Sequence, residues 1–166
     1  MKFITAILIT LSMTFALAET EKVFYPDGTI KSAITYKNGK KNGVEHEFYP
    51  DGATLKYSKN YVHGKLHGLI QEYSPNALLI RETSYSHGVL SGRSRSYDEN
   101  GLLKSEADYR NGLPDGAVRE FFPSGLMSME TFWKKGKIQY GYKYNEEGSK
   151  RSLTAEELKV FGLGKQ

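Results

Sequence analysis

The pentapeptide Phe-Tyr-Pro-Asp-Gly stands at residues 24–28 and again at 48–52, and the copying does not stop there. Gly28, Gly52, Ala77, Gly101, Gly125 and Gly148 follow one another at spacings of 24, 25, 24, 24 and 23 residues. A second series, Gly39, Gly64, Gly88, Gly112 and Gly136, trails the first by eleven or twelve residues. A third, Gly43, Gly68, Gly92 and Gly116, comes four residues later still. A fixed period in the twenties restricts the chain to a repeat architecture, in which each unit contacts only its neighbours. The one longer interval places an extra residue in the turn before Leu55, where an insertion costs little.

Between the glycines the residues alternate. Ile30, Leu55, Leu79, Leu103 and Met127 share one column, and Tyr36, Tyr61, Tyr85, Tyr109 and Trp133 share another six positions on. In a strand an even separation places both columns on the same face. The odd positions between them hold Lys31, Lys56 and Lys104, then Glu82, Glu106 and Glu130. One face therefore reads as apolar and the other as charged, the period-2 mark of a half-buried antiparallel strand. The second half of each unit reads as a shorter strand ending in Phe48, Tyr73, Tyr97, Phe121 or Tyr144. Gly-x-x-x-Gly segments join the two strands, and glycine with Asn or Asp supplies the positive φ that such turns need. Residues 19–24 match the second strand alone, so the array opens with a half unit.

Segments such as "YDENGLLKSEADYRNGLPDGAVREFF" and "FYPDGTIKSAITYKNGKKNG" resemble MORN-variant repeats of bacterial proteins, over about residues 20–150. Two departures stand out: Ala77 replaces a turn glycine, and the unit ending "KKGKIQYGYKY" lacks the usual second glycine spacing. The resemblance implies an all-β fold, an elongated single-layer antiparallel sheet of repeated β-hairpins. Relatives of this kind are often labelled antitoxin-like, and eukaryotic MORN arrays are associated with membranes and protein scaffolds. Fold alone supplies no function.

The last segment, "SLTAEELKVFGLGKQ", breaks the pattern. Thr154 with Glu157 fits a capping box, and Leu153 with Leu158 fits a hydrophobic staple. These signals predict a helix of about two turns that stops at Gly162 and covers the last strand edge. The chain thus divides into residues 1–18, a repeat array of about five to six units over 19–151, and a cap over 152–166. Residues 1–18 read as a signal peptide: one basic residue, Lys2, an apolar run from Phe3 to Ala16, and Ala16-Leu17-Ala18 as a cleavage site. The expectation is export to the periplasm or beyond.

No cysteine is present, which excludes disulfides, thiol chemistry and lipid attachment at a cysteine. Without Lys2 the chain holds 22 basic and 19 acidic residues, a mild surplus spread along its length. Two basic clusters, at 37–41 and 134–137, fall at turns. Export argues against a nucleic-acid partner, while attraction to anionic lipid headgroups stays open. His63, His67 and His87 could approach one another, but zinc wants three or four ligands at about 2 Å, and no carboxylate is placed to help. No nucleophile elbow or phosphate-binding context appears, so no metal, cofactor or enzymatic activity is expected.

Eleven or twelve strands at about 4.8 Å would span roughly 55 Å. A sheet of that length with one apolar face and no second layer has a face to dispose of. Twist, a second copy of the chain in a homodimer, or a partner could cover it. The aromatic column can be the core of a thin sheet or a binding stripe. The first expectation is an exported scaffold that binds another protein through Tyr36, Tyr61, Tyr85, Tyr109 and Trp133. The alternatives are a peripheral module on an anionic membrane and a periplasmic antitoxin-like or immunity-like protein.

Overall fold

The structure, a computed structural model, describes residues 18–163. Residues 1–17 of the leader read from the sequence lie outside the described residues. The described chain is one antiparallel meander closed by a helix. Its strands are β1 (Glu19–Phe24), β2 (Ile30–Lys37), β3 (Lys40–Lys41), β4 (Gly43–Phe48), β5 (Leu55–Val62), β6 (Lys65–Leu66) and β7 (Gly68–Tyr73). They continue as β8 (Leu79–Ser86), β9 (Val89–Tyr97), β10 (Leu103–Arg110), β11 (Leu113–Phe121), β12 (Met127–Lys134), β13 (Lys137–Tyr144) and β14 (Lys150–Ser152). The helix α1 spans Ala155–Leu163. Each strand pairs with its neighbour in sequence, and the two-residue strands β3 and β6 extend the ladder beside β2 and β5. The single long sheet of hairpins with a short C-terminal helix is the architecture that the repeat demands.

The turns explain why the meander is so regular. Every hairpin tip is a two-residue turn with positive φ at both positions: Asn38-Gly39, His63-Gly64, His87-Gly88, Asn111-Gly112 and Lys135-Gly136. That is the geometry whose twist matches the flanking strands. The tips are also tied to one another. Gly64 N–H donates to Lys41 O at 2.8 Å, and Gly88, Gly112 and Gly136 repeat the bond to Leu66, Leu90 and Pro114. At the other end of the strands, each corner closes through a bond such as Gly28 N–H to Tyr25 O, with Asp27, Asp51, Asp98 or Asn145 accepting from the backbone just ahead. Tyr25 and Tyr49 hydroxyls reach one unit further, to Phe48 O at 2.8 Å and Tyr73 O at 2.9 Å. Ala77 stands in the same corner position as the glycines and is held at φ 59°, a strained value for a residue with a Cβ.

Direct pairing fixes the two faces. On the front face one row runs across the sheet through Ile34, Glu45, Lys59, Ile70, Thr83, Ser94, Ala107, Val118, Thr131 and Gly141. On the back face the matching row is Ala33, His46, Ser58, Gln71, Glu82, Arg95, Glu106, Arg119, Glu130 and Tyr142. The most buried side chains, Ile34 and Thr131 at 3 % exposure, Glu45 at 6 % and Leu153 at 7 %, all lie on the front.

The expected division into an apolar and a charged face is corrected here. The front carries the buried carboxylate of Glu45, held by Lys41 Nζ at 2.6 Å, and a run of small hydroxyl residues. The back carries an aromatic cluster beside its charges, with Phe132 stacked on Tyr140 at 4.6 Å and Tyr140 edge-on to Tyr142 at 6.0 Å.

The chain end also differs in detail from the sequence reading. The capping box forms, with Glu157 N–H donating to Thr154 Oγ1 at 3.2 Å and Thr154 N–H to Glu157 Oε2 at 2.9 Å. The helix runs through Gly162 to Leu163 rather than stopping before it. The edge of β13 is covered first by β14 and by the Leu153 N–H to Gly141 O bond of 2.8 Å. The short strand was missed because "KRS" has no apolar residue to show a period.

Candidate functional site

The aromatic column lies on the front face along the hairpin-tip side of the sheet. Tyr61 stands directly opposite Gly43, Tyr85 opposite Gly68, Tyr109 opposite Gly92 and Trp133 opposite Gly116. Each of those glycines has positive φ and no side chain to fill the space beside the ring. A Cβ on Gly92 or Gly116 would come within 2.9 Å of Ser84 Cβ or 3.0 Å of Asp108 Cβ, so the glycine clears the neighbouring strand where the aromatic stands opposite it. All five members of the column, Tyr36 included, are half-buried. One flank of each ring is packed and the other meets solvent, so the column is neither a closed core nor a free stripe.

What lies beside the column varies along the array. At the N-terminal end, long side chains close the front. Lys41 sits 4.9 Å from the Tyr61 ring centroid while pairing with Glu45, Lys59 pairs with Glu47, and Tyr57 OH donates to Glu72 Oε1 at 2.8 Å. Burial, then the Glu45 carboxylate, holds the Tyr61 phenol well above its ordinary range. At the C-terminal end, Trp133 Nε1–H donates to Thr131 Oγ1 at 2.8 Å, and Leu153 lies over Gly141 and against Thr131. A Cβ on Gly141 would come within 2.8 Å of both Leu153 Cδ1 and Thr131 Cγ2. Arg151 and Lys143 hold Glu157 at 2.8 and 3.0 Å, which seats the helix on this end of the face. Arg151, the bound Thr154 amide and Lys143 together pull the Glu157 carboxyl far below the usual carboxylate range.

Between these ends, over β8 to β11, nothing from the described residues covers the front. A depression of about 280 Å³ remains, floored by Ser94, Ser96, Ser105 and Ala107 and bounded by Tyr109 and Arg81. The floor hydroxyls pair with one another, Ser96 Oγ to Ser105 Oγ at 2.7 Å and Thr83 Oγ1 to Ser94 Oγ at 3.4 Å. Glu106, Glu120 and Val118 complete the lining, and Glu106 is already paired with Arg95 and Arg119.

The back of the same strands is closed by charge. Arg95 bridges Glu82 at 4.0 Å and Glu106 at 3.5 Å, and Arg119 bridges Glu106 at 2.9 Å and Glu130 at 2.7 Å. Tyr97 OH joins this ladder through Glu82 at 2.9 Å. Acid and base alternate across five neighbouring strands, so the ladder saturates its own charges and offers little to a ligand. The sequence showed the glutamates but not their pairing, because the arginines come from the less regular half of each unit.

The two long edges of the sheet differ in sign. Tip segments 37–41, 62–65, 86–89, 110–113 and 134–137 contain eight Lys and Arg residues and no acidic one. Corner segments 25–29, 49–54, 74–78, 98–102, 122–126 and 145–149 contain six Asp and Glu residues and no basic one. Along the basic edge Val89 and Leu113 are 46 % and 48 % exposed. Sequence reading found the two lysine clusters singly; their alignment appears only once every tip is known to lie on one edge.

Of the three histidines singled out from the sequence, His63 and His87 occupy tip positions. His67 and His87 meet edge to face with ring centroids 5.0 Å apart, and Ser86 Oγ lies 3.1 Å from His87 Nδ1. Among the described residues no three His, Cys, Asp or Glu side chains gather as a metal set.

Comparison with known proteins fits this picture at the level of the repeat. The family model of the MORN repeat variant matches residues 20–38 and 90–111, so the chain carries that repeat in two places. The MORN repeat variant is a non-enzymatic repeat module of the scaffold or binding kind. No curated protein matches the chain. One solved structure, of accessory secretory protein 1, 2 and 3 in Streptococcus pneumoniae, aligns at 17 % identity with a TM-score of 0.17. That alignment covers 81 % of this chain and 19 % of the other, and a score so low carries no argument.

Proposed function

We propose that this chain is a non-enzymatic scaffold, exported by its N-terminal leader, that binds another protein along the front face. The observation that carries the reading is the uncovered middle of that face. The same aromatic column is sealed beside Thr131 by the chain's own Leu153 and helix, whereas beside Ser94 and Ala107 it is open. Tyr85 and Tyr109 then supply large, rigid contact area of the kind enriched at interface hot spots. Tyr36, Tyr61 and Trp133 extend the same row toward the closed ends. The test is a Tyr85→Ser/Tyr109→Ser chain with its strand signal intact. Loss of co-purification of the partner that the unsubstituted chain retains supports the reading; equal retention contradicts it.

A second reading rests on a different surface. The tip edge, basic and studded with exposed Val89 and Leu113, suits an anionic membrane surface, where lysines meet headgroups and apolar side chains enter the interface. Vesicle flotation that requires anionic lipid and fades with added salt supports it. Absence of flotation at low salt removes it.

A further inference from the structure

We propose that Asn38 is a site of spontaneous deamidation, selected from four Asn–Gly pairs by the hydrogen bonding of its turn. The pairs are Asn38-Gly39, Asn42-Gly43, Asn100-Gly101 and Asn111-Gly112. All four share the residue that favours the reaction, since a following glycine leaves the attacking backbone nitrogen unshielded. They differ in what that nitrogen and the asparagine side chain are doing.

Gly112 N–H donates to Leu90 O at 2.8 Å, and Gly101 N–H to Asp98 O at 3.1 Å. Asn42 is held through its side chain, with Oδ1 accepting from His63 N–H at 3.2 Å, and through its own N–H to Thr35 O at 2.8 Å. Gly39 is the exception. Each later tip donates its glycine N–H to the hairpin before it, whereas on that side of the first tip the described residues hold only the lone strand β1. Gly39 N–H has no hydrogen-bond acceptor among the described residues, and nothing lies within 4 Å of where its Cβ would stand. Asn38 and Asn111 are otherwise matched, with φ of 53° and 52° in the same type of turn.

The chemistry needs only water. The deprotonated Gly39 nitrogen attacks Asn38 Cγ, the new C–N bond closes a succinimide, and the side-chain amide nitrogen leaves with a proton as ammonia. Water then opens either carbonyl of the ring, giving aspartate or isoaspartate. Both products place a carboxylate among Lys37, Lys40 and Lys41, and the isoaspartyl form also lengthens the backbone of the turn by one methylene.

The experiment is incubation of the full chain in mildly alkaline buffer, with peptide mapping of the four asparagines over time. Synthetic aspartyl and isoaspartyl peptides serve as standards. Opening a turn that must give up a hydrogen bond slows the reaction, so Asn38 is expected to convert at least about fivefold faster than Asn42, Asn100 or Asn111. In concentrated urea the four rates are expected to converge, because each asparagine then precedes a free glycine. Equal native rates at Asn38 and Asn111 overturn the proposal. A lead for Asn38 that persists in urea also overturns it, because the flanking sequence rather than the turn would then set the order.

Discussion

The C-terminal end of the front face and its middle are built from the same repeat, yet one is sealed and the other is open. Beside Trp133 the floor residue is Thr131, buried under Leu153, which in turn rests on the backbone at Gly141. Beside Tyr109 the floor residues are Ala107 and Ser105, bordered by Val118 and Glu120 of the next strand and by Ser94 and Ser96 of the one before. The backbone does not differ enough to explain this, since both regions are continuous antiparallel ladders with the same kind of bulge near the strand ends. What differs is a covering side chain. A single-layer sheet hides its front only where some other segment is laid over it, and among the described residues such a segment lies over the C-terminal end alone.

Substitutions can break that contrast, and the largest effect is expected at the seal. Leu153→Ala should cost about 2–4 kcal/mol in urea unfolding, with Thr131 becoming exposed. Gly141→Ala should cost about 1–3 kcal/mol, because the added methyl meets the Glu130 carbonyl at 2.9 Å as well as two side chains. Ser94→Ala in the open trough should change stability by less than about 1 kcal/mol, and an effect as large as at Leu153 would mean that the middle is sealed too.

Smaller effects test the framework behind both regions. Arg119→Ala removes the centre of the back-face ladder and leaves Glu106 and Glu130 facing each other part-buried. It should cost roughly 1 kcal/mol, and the cost should shrink with added salt, since the arginine is itself part-exposed. Ala77→Gly relieves the left-handed strain at φ 59° while loosening the unfolded chain, for a net gain of about 0.5 kcal/mol.

The seal should also respond to acid. The folded-state pKa of Glu157 is depressed, so its contribution is present above the ordinary glutamate value of 4.5 and is lost as pH falls through the folded value. Helix undocking, followed by Trp133 fluorescence, should therefore begin only in strong acid in the parent chain. In Glu157→Gln that acid-dependent step should disappear.

The frame of this contrast was legible in the sequence, but the contrast itself was not. The period, the face of each column and the turn positions could all be read, because strand alternation and positive-φ glycines leave local signatures. The half strand at 19–24 was legible for the same reason. The Leu153 plug was not. Leu153 resembles a staple residue for the helix, and Gly141 resembles one more turn glycine, although its φ lies outside the left-handed region. Only the pairing of β13 with β14 brings the two together. Glu45 was likewise unreadable as a buried carboxylate, since its burial depends on Lys41 and on the neighbouring Tyr61 ring.

The central claim, that the middle of the front face is a docking surface, is tested most directly by photo-crosslinking in the cell from position Tyr85. A matched probe at Ser58, on the back face, is the comparison. A discrete protein adduct from Tyr85 with none from Ser58 is the predicted result. A folded chain that gives no adduct at Tyr85, or the same adducts from both positions, would contradict it.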